Sequence, residues 1–150
     1  MRAKILDRAE RGRLYRHLAD RYGLSIELDL GFLQFRNYVR VISRDITMIA
    51  LHGMRITNLG LLFGEWIENN LSLSIEGSQL VGPHADRNVV ELDETQFVTW
   101  LRGGVLKLDA AEQGLEDGFV IIRHGYDYAG CGELSDGTIW SALPAHRRID

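Results

Sequence analysis

The residue types able to do chemistry are few in this chain, and their spacing decides what each can do. Five histidines stand at His17, His52, His84, His124 and His146, with no i,i+4 pair among them and none beside Cys131 in sequence. Cys131 is the only cysteine. One thiol cannot build a closed cysteine-rich zinc site or an intrachain disulfide, so no metal is expected and a reducing cytoplasm fits. Gly130-Cys131-Gly132 sets the thiol between glycines. In a strand that pattern marks close packing or a bulge, so a buried and inert thiol is expected rather than a reactive one. Neither G-x-x-x-x-G-K-[ST] nor a strand–G-x-G-x-x-G–helix unit occurs. Carboxylates are abundant, and a solvated acidic surface accounts for them. No catalytic residue and no cofactor is expected, and an enzyme is the weakest reading.

Arginine remains. The formal net charge is −4, but residues 1–44 carry ten basic residues against five acids, net +5, while residues 45–150 carry seven against sixteen, net −9. Attraction to phosphate follows the local field rather than the total, so a basic patch on an acidic protein is still able to bind RNA selectively. Arg13 and Arg16 project, with His17 and Asp20, from one side of a helical pattern. Arg36, Arg40 and Arg44 are expected on or near one exposed surface. For the helix the leading reading is a solvated arginine face, with phosphate contact as the alternative.

The elements that must position these residues are mostly short. Leu14, Tyr15, Leu18, Ala19 and Tyr22 recur at helical spacing, and Gly23 sits where a helix-ending glycine belongs. Gly31–Phe35 and Tyr38–Ser43 read as strands with a turn at Arg36-Asn37. Around residues 45–52 the composition turns from basic to apolar and then acidic, which divides the chain into units 1–50 and 51–150. Met54–Leu59 reads as a strand, continued or bent at Gly60 and Gly64. Leu71–Leu80 is ambiguous: strict alternation favours a strand, while Asn70 or Ser72 would cap a helix. After the loop Gly82–Arg87 come a strand at Asn88–Leu92, a capping-box helix opening at Asp93-Glu-Thr-Gln96, and an interior strand at Gly118–Arg123. Asp136-Gly137 joins Asp127–Leu134 to Thr138–Leu143 as a hairpin. The fold class expected is α+β: a small N-terminal α/β appendage followed by a small, partly closed mixed β-barrel with short helices. Composition is that of a soluble globular protein, with no membrane span and no secretory leader expected.

Gly118-Phe-Val-Ile-Ile-Arg-His-Gly125, Gly130-Cys-Gly132, Asp136-Gly137 and Leu143-Pro144-Ala-His-Arg147-Arg148 together resemble the end of the PUA-like domain in the Nop/Sun family of RNA cytosine-5 methyltransferases. Arg87–Leu92 and Trp100-Leu-Arg-Gly103 match the same domain upstream, and Leu18–Gly23 extends the likeness weakly towards the N-terminus. The resemblance is to the stand-alone archaeal type, with an N-terminal appendage and no methyltransferase domain. It favours a helix for Leu71–Leu80. It also implies an RNA surface made of the Ser74 region, the loop Gly82–Asn88 and the segment Trp140–Arg148. On that surface Ser74, His84, Arg87, Asn88, Trp140, Arg147 and Arg148 are the expected contacts, with Arg13, Arg16, Arg36 and Arg40 as further ones. Ala145 departs from the lysine that commonly follows the proline. The catalytic cysteines and cofactor motifs of the methyltransferases are absent from the sequence. The expectation is a cytoplasmic, non-catalytic protein that binds structured rRNA or tRNA in ribosome biogenesis or RNA modification, with no membrane or DNA partner. The alternative is an adaptor whose acidic barrel docks a ribosome-biogenesis or RNA-modifying protein.

Overall fold

A computed structural model describes residues 3–44 and 60–150. Two five-stranded sheets carry the architecture. The first runs β1 (Lys4–Ile5), β2 (Leu30–Phe35), β3 (Tyr38–Ser43), β4 (Leu61–Ile67) and β5 (Asn70–Leu73) in chain order, antiparallel throughout. The second contains β6 (Val89–Glu91), β7 (Leu106–Lys107), β8 (Gly118–His124), β9 (Asp127–Ser135) and β10 (Thr138–Ser141), in the order β6-β8-β9-β10-β7. It is mixed, because β6 runs parallel to β8 while the other pairs are antiparallel. Helices α1 (Arg8–Tyr22), α2 (Ile75–Val81) and α3 (Glu94–Leu101) complete an α+β fold with a curled half-barrel sheet.

Local chemistry explains the helix limits. Asp7 accepts from the Glu10 N–H while the Glu10 carboxylate accepts from Asp7, and Gly23 ends α1 at φ 74°, a conformation costly for any residue with a Cβ. Leu14, Leu18 and Tyr22, four apart, form the buried stripe. His17 departs from expectation. It is half-buried, its Nε2 accepts the Leu71 N–H at 3.2 Å, and its ring packs edge-on against Trp66. A strand of the first sheet covers that flank of α1, so the polar side of the helix is narrower than its sequence indicates.

The hairpin at Arg36-Asn37 forms as read, with Arg36 at φ 54°. In β3 the adjacent Val41 and Ile42 are both buried, so burial does not alternate along the whole strand. The boundary at residues 45–52 and the strand expected at Met54–Leu59 lie outside the described residues. Leu71–Leu80 proves to be both things in turn. Alternation is real as far as Leu73; then Ser74 accepts from the Gly77 N–H and caps α2. Gly77 lets α2 lie on β4, since a Cβ there would sit 2.0 Å from the Phe63 carbonyl oxygen.

In the second sheet Phe119–Ile122 are buried, β8 lying between β6 and β9. Asp136 and Gly137 both take positive φ, 50° and 79°, the requirement of the tight turn. Gly130 and Gly132 make room for the Trp100 indole: a Cβ on Gly132 would lie 3.3 Å from Nε1 and 2.5 Å from Ile139. The sheets share a core in which Phe63, Leu71 and Leu73 meet Phe119, Ile121 and Cys131. A second core gathers Trp100, Val120, Ile122, Leu134 and Leu143.

Candidate nucleic-acid interface

Between β4–β5, the start of α2 and the C-terminal tail lies a cleft of about 110 Å³. Its floor is apolar, with Leu62, Leu73, Ile75, Cys131 and Leu143; Ser74, Glu65, His146 and Arg147 stand around it. The size approaches the ~150 Å³ of an engineered cavity that takes up benzene, so it suits a single ring. Pro144 starts a 3-10 turn, Ala145–Arg147, which carries Arg147 to Glu76 in the first turn of α2 at 3.0 Å. Partial burial pushes the Glu76 carboxyl up, but its own backbone N–H and the Arg147 guanidinium outweigh this and hold it below the usual carboxylate range. Ser74 accepts from the Gly77 N–H and donates to the carbonyl oxygens of Leu62 and Phe63. Its hydroxyl therefore shapes the rim rather than reaching outward.

The loop before β6 does a different job. The Gly23 N–H already donates to the Ala19 carbonyl, and the loop supplies further donors to the last turn of α1. Arg87 Nη2 donates to the Ala19 carbonyl at 2.9 Å, Asn88 Nδ2 to that of Arg21 at 2.7 Å, and the Asp86 N–H to that of Tyr22 at 2.9 Å. Asn88 Oδ1 also accepts the Glu116 N–H, and the residue is 2% exposed. From the other side Arg21 donates to the Glu116 and Phe119 carbonyls, and the Tyr22 hydroxyl also reaches Phe119. A Cβ on Gly23 would fall 1.8 Å from Asp86 Oδ1, so that glycine is needed for space as well as for φ. Asn88 is closed inside this clamp, and half-exposed Arg87 is anchored by it. Arg87 and Asn88 border a separate polar hollow with Arg123, beyond the C-terminal end of α2, whereas Arg147 sits at its N-terminal end.

The remaining expected contacts are spread out. Trp140 is 53% exposed, on the outward side of β10 opposite Glu133. His84 is exposed at the end of the 3-10 turn following α2. Arg148 donates from Nε to the Leu143 carbonyl and packs over Gly103. Arg13, Arg16 and Arg36 are exposed, while Arg40 is half-buried and donates to the Gly60 carbonyl. Sequence reading had not singled out Glu65, Glu76 or Arg21. Nothing in the local sequence marks them, since their partners lie far along the chain. Cys131 is 1% exposed, and burial pushes its thiol up to about 11, so it serves as floor rather than nucleophile. Among the described residues no group of histidine, cysteine and carboxylate side chains is arranged to hold a metal, and no helix is long and apolar enough to cross a membrane.

Residues 87–149 match the family described as the methyltransferase RsmF PUA domain. The matched segment holds the whole second sheet, α3 and the tail with Arg147 and Arg148. This part of the chain is a PUA-like domain resembling the C-terminal domain of that methyltransferase family, as its glycine and leucine–proline motifs implied. No curated protein matches the chain.

Proposed function

We propose that the protein binds RNA without catalysing a reaction on it, through the edge where the first turn of α2 meets the C-terminal tail. The observation that carries this is the ring-sized apolar cleft with the Arg147 guanidinium at its rim, built in part by the segment that resembles a methyltransferase PUA domain. An unstacked base would lie over Leu73, Ile75 and Leu143 while its phosphate exchanges with Glu76 for Arg147, and Arg148 would add a second cation. Trp140 and His84 are further contacts of the same protein, and Arg87 offers its outward nitrogen from the clamp. Structured rRNA or tRNA, in ribosome biogenesis or RNA modification in the cytoplasm, is the partner this reading favours.

The test is a titration of total cellular RNA and of purified tRNA over a range of salt. The wild type is expected to show a definite log–log slope, and Arg147→Ala with Arg148→Ala to reduce it by about 1–2, at ~0.7–0.9 per phosphate. The cost to folding should be small, since a surface ion pair contributes about 0–1 kcal/mol and the Arg148 hydrogen bond to Leu143 about 0.5–1.5 kcal/mol. Absence of salt-sensitive binding at low ionic strength would remove RNA as the direct partner. The adaptor reading would then stand on the net −9 of residues 45–150, a surface suited to a basic protein.

A further inference from the structure

The outer face of α1 is built against the helix's own stability. Arg8, Arg13 and Arg16 are exposed, and among the described residues no carboxylate pairs with any of them. Arg8 and Arg11, and again Arg13 and Arg16, are three apart, a spacing at which like charges repel. Arg8 and Arg11 also lie at the N-terminal end, where the helix dipole disfavours cations. The exposed residues between them are Ala9 and Gly12, with open space around Gly12, so nothing bulky holds a partner away. Asp20 is the one exposed acid within the helix.

Arg36 shows the same bias in another element. It occupies the hairpin turn at φ 54°, where glycine or asparagine would sit with less strain, and its guanidinium lies over Phe35 at 5.4 Å from the ring centroid. Glu68 and Asp136 take a similar φ in the other hairpin turns, and Arg36 differs from them in placing a cation at the exposed tip. Trp66 joins the two elements: its ring packs against His17, one turn beyond Arg13, and its backbone N–H donates to the carbonyl of Asn37, next to Arg36. Trp66 itself is not among the residues that line the cleft.

We propose that Arg8, Arg13, Arg16 and Arg36 form a second RNA-contact surface that follows the sugar–phosphate backbone of a paired segment without reading its bases. The exposed face of α1 carries no aromatic side chain for stacking, and Arg8 to Arg16 spans about 12 Å of helix axis. Bound phosphates would relieve the repulsion that the free protein carries. The inference rests on the RNA-binding reading of the cleft and extends it to a different surface.

The experiment titrates a fully paired RNA hairpin by fluorescence anisotropy at several salt concentrations, with thermal unfolding of every variant. R13Q/R16Q should weaken binding on the order of 10–100-fold near ~0.1 M salt and lower the log–log slope by about 1–2. Its Tm should stay level or rise. Arg36→Gly should likewise raise Tm while weakening binding. A lower Tm in R13Q/R16Q would make these arginines structural and overturn the proposal. So would an unchanged slope in R13Q/R16Q while Arg147→Ala/Arg148→Ala binds less well, an outcome that leaves the cleft reading intact. Failure of the wild type to bind any RNA removes both. Polyglutamate competing as well as RNA at equal charge would assign the face to an acidic protein and overturn it too.

Discussion

A histidine that accepts a backbone hydrogen bond loses that bond when it is protonated, and His17 is so placed under the Leu71 N–H. Burial and then the nearby Arg21 charge hold its folded pKa below the ordinary value, with Asp20 acting weakly the other way. Above about pH 6.5 the ring is neutral in folded and unfolded chains alike, and its contribution is complete. As pH falls below that value the unfolded chain takes up the proton first, so stability drops. Urea unfolding at about pH 7.5 and about pH 5 should show the loss, and His17→Gln, which keeps an acceptor but does not titrate, should flatten it. None of this is legible in α1 alone, whose partner strand lies 54 residues away. The Gly130-Cys131-Gly132 motif was legible as close packing, though not as the berth of Trp100. Gly132→Ala should cost about 1–3 kcal/mol by overpacking against Ile139 and the indole, read from the denaturation midpoint.

Among the elements, those closed by their own residues follow the sequence most faithfully. The box of Asp93 with Gln96 forms as the Asp-x-x-Gln spacing required, and Asp93→Ala should destabilise by about 1 kcal/mol with RNA affinity unchanged. Asp136-Gly137 likewise encodes its own turn. The Leu71–Leu80 segment was harder because two periods meet at Ser74, a residue that ends β5 and caps α2 at once. The loop 86–88 was legible only as a loop. Its side chains looked available because the carbonyls they satisfy belong to α1, some 67 positions earlier for Asn88. Asn88→Ala, which strands the Arg21 carbonyl and the Glu116 N–H, should cost about 2–3 kcal/mol in chemical denaturation.

For the whole molecule, composition alone located the charge asymmetry, and the structure gives it a geometry: exposed arginines on α1 and the first hairpin, acids across the second sheet and its loops. The strand order was beyond reach, since a parallel β6–β8 pair within an otherwise antiparallel sheet is decided by tertiary packing rather than by either strand's residues. The α1 clamp has a consequence in time. Arg21 finds the Phe119 carbonyl 98 positions along the chain, so the last bonds of the clamp close only after that stretch has been synthesised. Contacts of such span fold slowly. A nascent chain arrested before residue 119 should therefore leave Tyr22 open to protease, and release of the remaining residues should protect it in one step, as pulse proteolysis of stalled chains would report. Until then the arginine-rich helix is held by the first sheet and the 86–88 loop without its last partners, and the growing protein presents its most basic segment beside the RNA of the machine that makes it.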